Sequence, residues 1–163
     1  MLHLHIVRRT RLSATLNLNV LTVALVVTAL DAVTKAWARR DLVGHSIHVL
    51  GPMWFKLQFN SGVSFSFNQS GVTVTSVGTA IIALVVLVAG LRANAGLATA
   101  GFGLLVGGGL ANVIDRLSAS PHEVTDFIAV GNFPVFNPAD ACITVGFIVL
   151  MVATLRGERL LQK

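Results

Sequence analysis

The chain has few of the residues that metal sites and nucleophilic active sites most often use. Its 163 residues include a single cysteine, Cys142, which excludes an internal disulfide and a metal site built from several cysteines. No H-E-x-x-H, G-x-S-x-G or G-x-G-D pattern occurs, and the five histidines are scattered. These absences argue against a zinc protease and a serine nucleophile elbow. We therefore expect neither a metal nor a cofactor.

Charged residues are scarce as well, at 12% of the chain, whereas 54% of the residues are hydrophobic and the mean hydropathy is +0.78. A soluble domain of this length could not bury so much apolar surface in one core, so the composition indicates a membrane protein. The net charge is +5, but the basic residues lie beside apolar runs and are not interleaved with aromatic residues. This placement favours anionic lipid head groups over nucleic acid as their partner.

Four apolar segments are long enough to cross a bilayer, which requires about 20 residues. They cover about 16–38, 72–91, 95–117 and 138–156, so the sequence predicts an all-α membrane protein that is a single integral membrane domain. Seven of the twelve Lys and Arg residues would lie on the side of the termini, and we expect both termini in the cytoplasm. A cleaved signal peptide is the alternative for the first segment, but "LDAVTKAW" lacks a small-x-small cleavage pattern.

Two stretches between these segments have the alternation of β-strands. In "MWFKLQFNSGVSFSF", within an outer-side β region of about 45–70, apolar and polar residues alternate on both sides of an Asn-Ser-Gly turn. This pattern predicts a small hairpin or cradle, whose aromatic residues suit the head-group level of a membrane. An outer-side loop is predicted at about 118–136, and within it "VTDFIAV" is strand-like and precedes a Gly-Asn turn.

Only seven carboxylates occur, and several lie in or beside apolar segments, where an ionisable group costs about 2.5–3.5 kcal/mol. Asp31 and Lys35 are four residues apart on one helix face, so we expect a structural pair in which each neutralises the other. Asn112, Asp115 and Arg116 share another face near the outer boundary, where they would hold a helix end and support a site. Neighbouring glycines would allow a second helix to approach closely, namely Gly103, Gly107, Gly108 and Gly109.

The motif "FNPAD" predicts the start of the fourth helix. Asn137 can be the N-cap and Pro138 the first helical residue, which makes Asp140 the third, where free N–H groups and the helix dipole favour an anion. Capping alone could explain Asp140, but the same geometry aims its carboxylate at the membrane boundary, and a short turn could bring Asp126 beside it. Two carboxylates at one site do not easily ionise together, and such a pair can activate a water against a peptide carbonyl. We expect Asp140 to be the ionised member and Asp126 the protonated one.

The motifs resemble, in order and along nearly the whole chain, those of the lipoprotein signal peptidase family, bacterial signal peptidase II. The matching stretches are "DAVTK", "FNSGVSFS", "GGGLANVIDR", "VTDF" and "FNPADACITVG". The resemblance implies an aspartic endopeptidase in which Asp126 and Asp140 are the catalytic dyad. It also implies a set of residues that bind substrate or support the site: Asn60, Gly62, Asn112, Asp115, Arg116 and Asn137, with Asp31 and Lys35.

The same resemblance implies a substrate and a location. The substrate would be a prolipoprotein already modified with diacylglycerol, cut on the N-terminal side of its lipidated cysteine. The enzyme would be a monomer in the bacterial cytoplasmic membrane, surrounded by lipid, with its active site near the outer face. The alternative from another class is a carrier or assembly factor whose intramembrane aspartates relay protons or lock helices together.

Overall fold

The computed structural model describes residues 15–61, 70–118 and 123–162. Within these ranges the chain is mostly helical and carries one small antiparallel sheet. The helices are α1 (Asn19–Asp41), α2 (Ser70–Gly90), α3 (Leu97–Ser118) and α4 (Pro138–Leu155), and the strands are β1 (Ser46–Leu50), β2 (Met53–Asn60), β3 (Val124–Val130) and β4 (Phe133–Phe136).

Three of the described helices, α1, α3 and α4, are long and apolar enough to cross a membrane. The described apolar part of α2, Val74–Gly90, is shorter than these three. The outward surfaces of the helices carry exposed aliphatic side chains, such as Leu25 of α1, Ile82 of α2 and Ile148 of α4. In a bilayer these side chains would face lipid, which agrees with the sequence-based prediction of a multi-pass membrane protein.

Helix α3 is the centre of the bundle, because α1, α2 and α4 each pack against it. Its three consecutive glycines face one neighbour each. A Cβ at Gly107 would lie 2.8 Å from a carbonyl oxygen of α1, one at Gly108 would lie 2.5 Å from the Ala139 carbonyl oxygen of α4, and one at Gly109 would lie 3.3 Å from a side-chain carbon of α2. Successive helical residues point about 100° apart, so three adjacent glycines allow close approach of helices from three directions. The close approach predicted from the glycines is present, and it involves three neighbouring helices.

The sheet has the strand order β1-β2-β3-β4. Its two hairpins turn at Gly51 and Gly131, both of which have positive φ values of about 50°, a conformation that glycine adopts without strain. Strand β2 pairs with β1 before it and with β3, which follows α3 in the chain. The turn that the sequence analysis placed at Asn-Ser-Gly is therefore not the turn of the observed β1–β2 hairpin. Alternation identifies a strand but not its partner, and here the neighbours of β2 are β1 and β3.

A mostly helical fold with a small antiparallel sheet agrees with the predicted class, and the sheet extends into the predicted loop at 118–136, where "VTDFIAV" is the predicted strand. Most of that loop is β3 and β4, and β3 contacts the end of α1 through Phe127, which packs with Ala38 and Leu42. Trp37 of α1 meets Phe127 edge-to-face at 5.9 Å between ring centroids. The apolar residues of this segment are buried against a helix end. This burial favours strands over a solvated loop. The predicted second arm at residues 65–67 lies outside the described residues.

The opposite end of the bundle brings the two described chain ends together. The Asn17 N–H donates to the Leu91 carbonyl oxygen at 2.8 Å, and the Gln162 N–H donates to the Arg92 carbonyl oxygen at 2.8 Å. Both ends of the described part of the chain are therefore held at the turn between α2 and α3. The sheet lies at the other end, where α1 and α3 finish and α4 begins.

Candidate active site

Polar side chains collect where the sheet meets the helix ends. Most of the buried polar and charged side chains of the described chain lie in this one region, and each of the following is less than a tenth exposed: Asp31, Lys35, Asn112, Asp115, Arg116, Thr125, Asp126 and Asn137. Buried charges are costly unless they are paired or hydrogen-bonded, so the partners of each group define what the cluster can do.

The start of α4 is a capping box, as the motif "FNPAD" predicts. Asn137 is the N-cap, and its Oδ1 accepts a hydrogen bond from the Asp140 N–H at 2.9 Å. In return, Oδ2 of Asp140 accepts from the Asn137 N–H at 3.2 Å, and Pro138 occupies the first helical turn. The backbone of the N-cap thus fixes the carboxyl of Asp140 in orientation.

Asp126 and Asp140 are joined by hydrogen bonds through Asn137. The Nδ2 of Asn137 donates to Oδ1 of Asp126 at 2.6 Å, while its backbone N–H holds Asp140. The second oxygen of Asp126 accepts from Nδ2 of Asn60 at 2.9 Å, and that of Asp140 accepts from Nδ2 of Asn112 at 2.8 Å. The five residues come from β2, α3, β3 and the start of α4 with its N-cap, so the site forms only when the sheet and the bundle are in contact.

The orientation of the Asn112 amide is set by Lys35. The Lys35 ammonium donates to Oδ1 of Asn112 at 2.8 Å, and an ammonium group can only donate. Oδ1 must then face Lys35, which turns Nδ2 toward Asp140. The Asn137 amide is oriented in the same way. Its Oδ1 accepts from the Asp140 N–H, so its Nδ2 faces Asp126. Each carboxyl therefore faces N–H donors on both oxygens and keeps further lone pairs for a water or a substrate.

Asp31 and Lys35 form the ion pair that their spacing predicts, with 2.7 Å between Nζ and Oδ2. Asp31 has a second contact that sequence reasoning missed. Its Oδ1 accepts from the Ala139 N–H at 2.9 Å, which satisfies a free donor in the first turn of α4. No local pattern could have revealed this bond, because it joins residues that are 108 positions apart.

Asp115 is also held by partners from other elements. It pairs with Arg39 of α1, lies 3.5 Å from Nζ of Lys35, and accepts from the Thr125 N–H at 2.7 Å. The neighbouring Arg116, predicted to support the site together with Asp115, is buried as well. Arg116 is close enough to Asp140 and Asp126 for electrostatic attraction to both. Arg39 was not a predicted site residue.

Burial raises the pKa of the Asp126 carboxyl, and repulsion from Asp140 adds to this effect. The hydrogen bonds from Asn60 and Asn137 and the charge of Lys35 act in the opposite direction. Asp126 thus retains its proton at a pH where an ordinary aspartic acid has lost it. A neutral carboxyl beside a second one is the arrangement that acid–base catalysis by two carboxyls requires.

Other predicted features of the site are placed by the structure only in part. Among residues 15–61, 70–118 and 123–162, no three His, Cys, Asp or Glu side chains come together as a possible metal site. Gly62, a predicted site residue, lies outside the described residues. The remaining predicted residues all belong to the polar cluster or, like Asn60 and Asp140, bond to it.

Known proteins resemble this chain over most of its length. Residues 23–156 match the family model described as signal peptidase (SPase) II. The chain is 34% identical over 145 residues to a lipoprotein signal peptidase of Mycobacterium leprae, covering 84% of this chain and 71% of that one. It is 37% identical over 146 residues to the lipoprotein signal peptidase of Gloeobacter violaceus, covering 83% and 80%. A bacterial membrane enzyme solved by the in meso method at 1.9 Å resolution superposes with a TM-score of 0.74 at 28% identity, covering 83% and 92%.

Proposed function

The chain belongs to the signal peptidase II family and is a protease that removes signal peptides from prolipoproteins, and we propose that Asp126 and Asp140 are its catalytic pair. The observation that carries the proposal is the bridging role of Asn137, which bonds to both carboxyls. Asp31 and Asp115 are less suited, because each is paired with a cation at close range. We assign Asn60, Asn112, Asn137 and Arg116 to the binding or support of the site.

In the proposed reaction, Asp140 is the ionised member and takes a proton from a water molecule. The water oxygen bonds to the carbonyl carbon of the scissile peptide, and Asp126 gives its proton to the carbonyl oxygen. When the tetrahedral intermediate collapses, the C–N bond breaks, the leaving amine takes the proton that Asp140 had accepted, and the hydroxyl formed from the carbonyl oxygen returns its proton to Asp126 as the C=O bond re-forms. The raised pKa of Asp126 supports its role as the acid, and the position of Asp140 in the first turn of α4 places its carboxylate beside the N–H group of Asn137.

We further propose that the substrate carries diacylglycerol on the cysteine that follows the cleavage site. A lipid-modified cysteine must stay at the membrane boundary, and the proposed pair lies where apolar helices meet a polar cluster. An apolar groove of about 560 Å³ lies between α2 and α4 over α3, with Val86, Phe102 and Phe147 among its lining residues. We assign this groove to the apolar part of the signal peptide, which must cross the bilayer beside the enzyme.

The proposed topology has four crossings, with both termini in the cytoplasm and the active site near the outer face of the bacterial cytoplasmic membrane. Helix α2 has 21 residues, or roughly 31 Å at 1.5 Å per residue, which matches the thickness of the hydrocarbon core. The meeting of both described chain ends at the α2–α3 turn supports an even number of crossings. All residues of the polar cluster come from one chain, which supports a monomer surrounded by lipid.

The function is tested by incubating the purified protein in detergent with a diacylglyceryl-modified precursor in the presence of EDTA. We expect a shortened product that begins with the lipidated cysteine, because two carboxyls activate water without a metal. An unmodified precursor should be cut poorly, if at all. Cleavage that needs added zinc would contradict the aspartic mechanism, and equal cleavage of the unmodified precursor would contradict the proposed substrate.

The groove makes a prediction about substrate affinity. Met151 lines the groove and is 46% exposed, and Met151→Trp would fill part of its volume. We expect KM to rise several-fold with little change in kcat, since binding is weakened away from the reacting atoms. Ile148→Trp is the matched control, because Ile148 is equally exposed on the same helix but does not line the groove. Equal effects from both variants would argue against the groove as the binding site.

The raised pKa of Asp126 makes a prediction about pH. Turnover should fall as the pH rises through this pKa, because Asp126 then loses the proton that it must donate. The bond from Asn60 stabilises the ionised form, so Asn60→Ala should raise the pKa further and move the basic limb of kcat/KM to higher pH. Asp140, Asn137, Lys35 and Arg116 also act on Asp126 and are unchanged in this variant. A basic limb that moves to lower pH would contradict the assigned roles.

A further inference from the structure

Thr125, the residue immediately before Asp126, is fully buried and is held at two of its atoms. Its backbone N–H donates to Oδ2 of Asp115 at 2.7 Å, and its side-chain Oγ1 accepts from Nε of Arg39 at 2.8 Å. Arg39 also pairs through Nη2 with the other oxygen of Asp115. The three residues close a ring of contacts between α1, α3 and β3, which we call the Thr125 clamp.

We infer that Arg39 and Thr125 are positioning residues for the reaction, because the Thr125 clamp sets the orientation of the Asp126 carboxyl. This inference rests on the proposed catalytic role of Asp126. The side-chain hydrogen bonds of Asp126 come from Asn60 and Asn137, whereas the side chains of Arg39 and Thr125 bond to each other. Arg39 and Thr125 therefore act on Asp126 through the backbone of β3.

The geometry of a strand explains why a neighbour can control Asp126. Successive side chains of a strand point to opposite faces, so Thr125 faces Arg39 while Asp126 faces Asn60 and Asn137. Fixing the side chain and the N–H of Thr125 therefore fixes the rotation of the strand at Asp126. A slip of one residue would turn Asp126 away from the site altogether.

The sheet pairs this part of β3 on one side only. Strand β4 pairs with β3 only at Ile128 and Val130, beyond Asp126, so it does not reach Thr125. On the other side, β2 pairs with both residues, Phe59 with Thr125 and Gln58 with Asp126, and the register shifts only beyond Asp126, between Phe55 and Gln58. The N–H of Thr125 bonds to Asp115, so the Thr125 clamp supplies a second anchor at a position of β3 that β4 does not reach.

Arginine suits this position because its planar guanidinium donates to two acceptors at once. The Nε of Arg39 donates to Oγ1 of Thr125, and its Nη2 pairs with Oδ1 of Asp115. A lysine would keep the charge beside Asp115 but has a single nitrogen, and it would lose the fixed fork geometry. Arg39 is 33% exposed, so replacing it leaves no fully buried cavity and tests the geometry more than the packing.

The test measures kcat and KM for Thr125→Val, Thr125→Ser and Arg39→Lys with a diacylglyceryl-modified precursor. We expect Thr125→Val to lower kcat about tenfold with KM unchanged, because one hydrogen bond to a charged donor is lost while the substrate contacts stay. Thr125→Ser keeps the hydroxyl and should restore kcat to within about threefold of the original enzyme. Arg39→Lys should resemble Thr125→Val, and the double variant should be no slower than either single variant.

Thr79→Val is the matched control, because the Thr79 hydroxyl donates within its own helix, α2, to the Thr75 carbonyl oxygen. It should keep the original kcat. Unchanged kcat in Thr125→Val would overturn the inference. Equal losses of kcat in Thr125→Val and Thr125→Ser, in proportion to their losses of thermal stability, would overturn it as well. Asp126→Asn is measured alongside: if it is inactive while Thr125→Val is normal, only the positioning role fails, whereas an active Asp126→Asn refutes the proposed function itself.

Discussion

Asp126→Asn and Asp140→Asn will each abolish cleavage of the lipid-modified precursor while the protein still folds and enters the membrane. Asparagine has nearly the volume of aspartate, and its amide oxygen can still accept one of the bonds from Asn60, Asn112 or Asn137. It can neither take a proton from water nor donate one as an acid. The measurement is single-turnover cleavage at matched protein levels, with thermal stability in detergent measured on the same samples.

Two other aspartates provide controls for this prediction. Asp41 pairs with Arg40 on the exposed end of α1, away from the cluster, and Asp41→Asn should cleave at the original rate. Asp115→Asn should lose stability and part of its turnover, because Asp115 holds Arg39 and Thr125 but does not bond to Asp126 or Asp140. Residual product from Asp126→Asn together with none from Asp115→Asn would reverse the assignment.

The parts of the site that could be predicted from sequence are those that a few consecutive residues determine. The capping box at Asn137 and Asp140 needs four positions, and the ion pair of Asp31 and Lys35 needs one helical turn. In both cases the backbone conformation fixes which atoms meet, so a local pattern is sufficient.

The parts that could not be predicted depend on which elements meet in space. Arg39 is the arginine partner of Asp115 because α1 and α3 pack side by side, and nothing near Asp115 in the chain reveals that. The pairing of β2 with β3 joins residues that are separated by α2 and α3. Alternation predicted both strands correctly, but it carries no information about long-range partners, so the four-stranded sheet could not be predicted.

Gly108→Ala will have the second large effect, on both stability and cleavage. The added Cβ would lie 2.5 Å from the Ala139 carbonyl oxygen and 2.7 Å from a side-chain atom of Ile143. A backbone carbonyl cannot rotate away, so the first turn of α4 must move, and Asp140 moves with it. Overpacking of this kind costs about 1–3 kcal/mol, and a displacement of 1 Å at a catalytic group can cost on the order of 100-fold in rate. We expect a lower melting temperature and about a 100-fold loss of kcat.

Two further glycines separate this contact from the general effect of adding a methyl group to a helix. At Gly78 of α2 a Cβ meets nothing within 4 Å, so Gly78→Ala should raise stability slightly through the higher helix propensity of alanine. At Gly109 the nearest atom is the Ala83 side chain at 3.3 Å, which can shift by a few tenths of an ångström, so Gly109→Ala should lose little activity. If Gly109→Ala were as damaging as Gly108→Ala, the loss would reflect crowding anywhere on α3. Only a selective loss at Gly108 means that the contact between α3 and the first turn of α4 places Asp140 for catalysis.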